Sequence, residues 1–264
     1  MAATKQQAEA LTASNAKNLT PKDRLIVALD VASLAEARAL IGELAPEVGM
    51  FKAGLELFTA CGIALFDAAE EAGARLFFDS KYFDIPNTVA GACRAVVANG
   101  PALFNLHALG GSKMMKAAVA ARDEAYAKLQ AKAKGESIKA KPALIAVTIL
   151  TSLNSEELSS ELRISMPLTD MVLHLAQMTK DCGLDGVVAS ALEASAIRQA
   201  LGPDFLIVTP GIRPSWAGAD DQSRIVTPKD AIAGGADMIV VGRPITKAQN
   251  KKEAARKIVE ELGG

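Results

Sequence analysis

Leu25-Ile26-Val27-Ala28-Leu29-Asp30-Val31-Ala32-Ser33 is the stretch on which the choice of fold turns. Its first five residues form a short apolar run, the mark of a parallel strand buried on both faces. The turn from Ala28 to Ser33 contains no G-x-G-x-x-G, so an open dinucleotide-binding sheet loses its main support. Ser33 stands where it can cap a following helix.

The same alternation continues outward to the end of the chain. Short runs rich in Val, Ile, Leu and Phe recur at Val48 to Ala53, Arg75 to Phe78, Ala102 to His107, Leu144 to Thr148, Gly186 to Ala189, Phe205 to Thr209 and Met238 to Val241. Alanine-rich stretches of helical periodicity separate them, which signals parallel strands with crossover helices. With Leu25 to Leu29 the strands number eight, as a closed barrel requires, whereas an open doubly wound sheet usually has about five or six. Gly73 and Gly202 fit positions just past helices, and Pro86 fits an early helical position.

A chain of 264 residues, half of them hydrophobic, suits one barrel of about 250 residues or two small domains, and composition does not choose. The uninterrupted alternation does. It predicts an α/β protein with one (β/α)8 TIM barrel over 21–264, preceded by an N-terminal extension over 1–20. That extension is polar and alanine-rich, without the apolar core of a signal peptide, and no later run approaches the ~18 residues of a membrane span.

Basic and acidic residues nearly cancel, 29 against 30, so no global field favours nucleic acid or an anionic membrane. Cys61, Cys93 and Cys182 share no C-x-x-C spacing, which points to reduced thiols in a cytoplasmic protein. With only His107 and His174 in the chain, a His-rich metal centre has no basis, while carboxylate-bound Mg²⁺ stays open.

Two connections exceed the usual loop length. Ala131 to Lys141 reads as a lysine-rich, solvated extension of the fourth helix. Ile212 to Thr227, containing Pro214, Trp216 and Gly218, follows the seventh strand on the face where barrel enzymes work and reads as a lid.

Polar residues gather at the C-terminal ends of the expected strands, which in a barrel share one mouth. Asp30 follows the first strand, Lys52 ends the second, and Asp79 and Lys81 follow the third. Because residues two apart on an extended segment share a side, Asp79 and Lys81 can face one space while Ser80 points away. Asp84 comes next, at the bend before a helix. Taken singly, Asp84 or Asn87 could be a helix cap and Lys81 a surface ion pair. Thr209 to Arg213 and Val241 to Thr246 follow strands seven and eight, the loops from which barrels commonly bind phosphate. There Gly242 allows close approach to backbone N–H groups, and Arg243 offers a bidentate guanidinium fork.

The string Asp79-Ser80-Lys81-Tyr82-Phe83-Asp84-Ile85-Pro86-Asn87-Thr88 resembles the D-x-K-x-x-D-I-P-N-T signature of the orotidine 5'-phosphate decarboxylases. The resemblance extends over nearly the whole chain, through Val27 to Asp30, Phe51 to Gly54, Asn105 to Ala108, Ala146 to Ser152, Cys182 to Val188, Thr209 to Arg213, Asp221-Gln222 with Arg224, and Gly242 to Thr246. It departs from many relatives at Phe83 and Ser80, neither a catalytic position of the family.

The resemblance implies decarboxylation of orotidine 5'-phosphate to uridine 5'-phosphate, in pyrimidine biosynthesis, without cofactor or metal. It implies that Asp30 and Lys52 contact the ribose hydroxyls, that Lys52 shares a charged network with Asp79 and Lys81, and that the last two flank the reacting carbon. Thr151 would lie near the base. Arg213, Gly242 and Arg243 would hold the phosphate, and Gln222 would link it to the lid. Asp84 and Thr88 would reach into a neighbouring subunit's site, making a homodimer the working unit.

The departing CO₂ leaves electrons in an orbital that the pyrimidine ring cannot delocalise well. The ammonium of Lys81 would stabilise that carbanion and protonate it. The alternative is a Mg²⁺-dependent sugar-phosphate decarboxylase or aldolase of the same superfamily. Such an enzyme would place a metal-binding acid near the end of strand two, where this chain has Lys52. A Schiff-base aldolase fits less well, because a lysine flanked by acids is charged rather than nucleophilic. A silent nucleotide-binding barrel would have no need for so costly a cluster of charges.

Overall fold

The computed structural model describes residues 11, 18–134, 137–217 and 226–263. Eight parallel strands pair in sequence order and the last closes on the first. They are β1 (Leu25–Ala28), β2 (Met50–Ala53), β3 (Leu76–Tyr82), β4 (Leu103–His107), β5 (Ala143–Val147), β6 (Gly186–Val188), β7 (Leu206–Thr209) and β8 (Met238–Val241). Each expected strand is present, and β8 has the expected bounds.

The helices start and stop where their end residues dictate. Ser33 Oγ accepts from the Glu36 amide at 3.3 Å and opens Leu34–Leu44. Pro86 begins Pro86–Ala98, where its missing N–H costs nothing. Gly73 and Gly202 follow helices with φ of 64° and 77°, a left-handed conformation that glycine adopts without strain. The helix Gly111–Lys132 takes in only Ala131 and Lys132 of the expected extension, and the described residues beyond it up to Lys141 are not helical. Beyond the helix, Lys139 and Lys141 pair with Glu70 and Asp123 on the surface.

Alternation along the strands divides the core in two. Leu25, Val27, Phe51, Leu76, Phe104 and Ile207 face the helices. Ile26, Ala28, Met50, Phe77, Leu103, Ile145, Leu206, Val208, Met238 and Val240 fill the barrel interior. Leu11, from the N-terminal extension, is buried in that interior cluster, and Leu19 packs against it.

Two further residues along, the inward phase of several strands changes character. Asp30 follows Ala28, Lys52 follows Met50, Asp79 follows Phe77, Asn105 follows Leu103 and Gly242 follows Val240. The apolar filling of the barrel therefore ends in a polar layer at the C-terminal mouth.

Candidate active site

The polar layer opens on a cavity of about 330 Å³. Asp30, Lys52, Asp79 and Lys81 line it, together with Thr151, Arg213, Gly242 and Arg243. A broader hollow of about 690 Å³ adjoins it through Thr151, Pro210 and Gly211. The charged cluster belongs to the smaller space.

Within that cluster the charges alternate in sign. Lys52 Nζ lies 3.6 Å from Asp30 Oδ1 and 3.2 Å from Asp79 Oδ2. Lys81 Nζ lies 2.6 Å from the same Asp79 oxygen. The Asp79 side chain is only 10% exposed, so its charge depends on these partners. Burial pushes its carboxyl upward, but the positive charges of Lys52 and Lys81, with hydrogen bonds from Lys81 and Asn105, hold it below the usual carboxylate range.

Asp79 and Lys81 do not follow β3, as the sequence suggests, but lie within it. The strand runs on to Tyr82 by way of a bulge: Phe78 pairs with Phe104 and Tyr82 with Leu106, so Asp79, Ser80 and Lys81 together face Asn105. Lys81 absorbs the extra length with φ of 48°, a conformation costing a non-glycine residue on the order of 1–2 kcal/mol. The expected facing still holds, because Lys81 reaches Asp79 while Ser80 Oγ turns to the Asn105 carbonyl at 2.6 Å.

No sequence motif assigns a role to Asn105. It is fully buried, its Nδ2 donates to Asp79 Oδ1 at 2.7 Å, and its Oδ1 accepts from the Lys81 amide at 2.7 Å. The available signal was an amide side chain on the inward phase of the otherwise apolar run Leu103 to Leu106. His107 lies two residues on. Burial lowers its pKa first and the charge of Lys81 lowers it further, against the pull of Asp79. The imidazole is therefore neutral near pH 7.

Asp84 and Thr88 stand apart from this chain's cavity. Residues 83–88 form an unbroken exposed run, in which Phe83 is 62% and Ile85 66% accessible. Asp84 Oδ1 accepts from the adjacent Ile85 amide at 2.6 Å, and Phe83 lies against His107 with ring centroids 5.9 Å apart.

Arg213 is buried at the start of the long loop after β7. Ile212 bridges Val226 and the Arg213 amide donates to the Val226 carbonyl at 3.1 Å, so the loop leaves and returns at one point. Gln222, expected in that loop, lies outside the described residues, as do Asp221 and Arg224.

The family profile described as Orotidine 5'-phosphate decarboxylase / HUMPS family matches residues 23–258. The chain belongs to this family. A relative named orotidine 5'-phosphate decarboxylase from Syntrophomonas wolfei is 47% identical over 91% of this chain and 98% of its own length. Another of that name, from Moorella thermoacetica, is 48% identical over 91% of this chain and 92% of its own length. The crystal structure of orotidine 5'-phosphate decarboxylase from Lactobacillus acidophilus superposes with a TM-score of 0.77 at 37% identity, covering 91% of this chain and 99% of that one. Membership in the orotidine 5'-phosphate decarboxylase / HUMPS family thus extends across the whole barrel, including every strand that carries the charged cluster. Among the described residues no helix is long and apolar enough to cross a membrane.

Proposed function

We propose that this chain decarboxylates orotidine 5'-phosphate to uridine 5'-phosphate, without cofactor, in pyrimidine biosynthesis. The observation that carries the reading is the alternating row Asp30, Lys52, Asp79, Lys81 at the mouth of the barrel, with Lys81 Nζ 2.6 Å from Asp79. A developing carbanion needs a preorganised positive charge beside it, and the ammonium at the end of this row supplies one.

In the proposed step the bond between C6 and the carboxyl carbon breaks, CO₂ departs, and the electron pair stays on C6. Lys81 stabilises that pair and transfers a proton to it. The resulting amine regains its proton from water. Asp79, itself paired with Lys52, holds Lys81 in place, and Lys52 with Asp30 also contacts the ribose hydroxyls. Thr151 lies near the base. Arg213, Gly242 and Arg243 take the phosphate, and Gln222 ties it to the loop over 212–227. Phosphate binding, remote from the breaking bond, then contributes to closing the site.

The working unit in this reading is a homodimer in which Asp84 and Thr88 complete the neighbour's site. Their exposure, beside the exposed Phe83 and Ile85, supports it. The three free thiols, Cys61, Cys93 and Cys182, support a reducing, cytoplasmic setting. Lys52 weighs against the Mg²⁺-dependent sugar-phosphate alternative, because its ammonium stands between the carboxylates of Asp30 and Asp79 where a metal would need an acid.

The test is turnover of orotidine 5'-phosphate, followed by its absorbance, with and without a chelator. The expected result is equal formation of uridine 5'-phosphate in both. Absence of turnover would overturn the substrate, and turnover that requires added Mg²⁺ would overturn the metal-free mechanism.

A further inference from the structure

The bulge in β3 raises the question of what holds Lys81 in a left-handed conformation that lysine adopts at a cost. A regular parallel ladder gives a strand evenly spaced backbone hydrogen bonds to its neighbour. Here Asp79, Ser80 and Lys81 face the single residue Asn105, so the ladder cannot supply partners for all three. Asn105 makes one contact with each, and the contact with Lys81 satisfies a backbone N–H. Its carbonyl accepts from Ser80 Oγ, its Oδ1 accepts from the Lys81 amide, and its Nδ2 donates to Asp79 Oδ1.

Those contacts fix the amide's orientation. A backbone N–H requires an acceptor and a carboxylate requires a donor, so the oxygen must face Lys81 and the nitrogen Asp79. The division of Asp79 follows. Its Oδ1 is taken by Asn105, which leaves Oδ2 for both Lys52 and Lys81. One buried side chain therefore fixes both the backbone from which Lys81 springs and the carboxylate against which its ammonium rests.

We propose that Asn105 is a positioning residue for the reaction, acting through Lys81 and Asp79 rather than by touching substrate. This rests on the function proposed above. Removing the amide lets the β3 bulge relax toward an ordinary extended path and lets Asp79 rotate. Either movement carries the Lys81 ammonium away from the carbon it serves, while Arg213, Gly242 and Arg243, which follow β7 and β8, still hold the phosphate. A misplacement of about 1 Å can cost on the order of 10²-fold in rate.

The experiment compares full-length wild type with Asn105→Ala and Asn105→Ser, the smaller polar change serving if the alanine variant does not fold. Steady-state kinetics give kcat and KM for orotidine 5'-phosphate, calorimetry gives Kd for uridine 5'-phosphate, and hydrogen exchange reports the Lys81 amide. The expected result is a fall in kcat of about 10²-fold, a product Kd within about threefold of wild type, and faster exchange at Lys81. A residue that only supports the fold would lower thermal stability without that split. An unchanged kcat in either folded variant, or an unchanged Lys81 exchange rate, would overturn the proposal. If wild type itself fails to turn over the nucleotide, the functional reading fails, and the exchange measurement still decides whether Asn105 holds the strand.

Discussion

Lys52 Nζ stands 3.2 Å from Asp79 Oδ2, reaching it from the neighbouring strand, where Lys52 itself pairs with Phe77. The contact joins the ribose end of the proposed site to the reacting end. Without Lys52, Asp79 would keep one ammonium partner and lose the other. Lys52→Ala should therefore lower kcat/KM by about 10²-fold or more, the order of loss on removing one preorganised hydrogen-bond donor. Steady-state kinetics check this, and a loss below about threefold would overturn the part proposed for Lys52 in the reaction.

The exposed run over 83–88 makes a prediction that requires two chains. Lys81→Ala and Asp84→Ala protomers are each expected to form inactive dimers. Mixed dimers should contain one intact site, built from Lys81 of the Asp84→Ala chain and Asp84 of the Lys81→Ala chain. Random exchange at equal amounts should return about one quarter of wild-type activity. If exchange is demonstrated and no activity appears, Asp84 does not complete a neighbour's site.

The depressed pKa of Asp79 predicts how stability varies with acid. The folded protein binds this proton less readily than the unfolded chain, because Lys52, Lys81 and Asn105 favour the charged carboxylate. The stability that Asp79 contributes is thus present above the usual carboxylate range and is lost as pH falls through its lower folded value. Wild type should exceed Asp79→Asn in urea unfolding at neutral pH, and the gap should close on acidification. A gap that stays constant or widens in acid would contradict the charged network.

The barrel could be read from the sequence because each strand is a short apolar run set between alanine-rich stretches of helical period. The ends were less legible. Val48 and Arg75 continue apolar or β-compatible runs, yet β2 begins at Met50 and β3 at Leu76, since only ladder pairing decides where a strand starts. Asp30, Lys52 and Asp79 stood out because each follows an apolar inward residue near the mouth, and Lys81 because it comes two residues after Asp79.

Asn105 did not stand out, since an uncharged amide inside Leu103 to Leu106 resembles a tolerated polar interruption. Its role depends on the left-handed backbone of Lys81, which no lysine advertises. Asp84 and Thr88 were placed by resemblance alone, and a single chain leaves them on its surface.

The ammonium of Lys81 beside the reacting carbon is the centre of the account, and Lys81→Ala tests it most directly. Decarboxylation of orotidine 5'-phosphate by the folded variant should fall by about 10³-fold or more, the combined loss of a charge and a proton donor, with uridine 5'-phosphate still bound. A folded Lys81→Ala protein that turns over the nucleotide at close to the wild-type rate would contradict it.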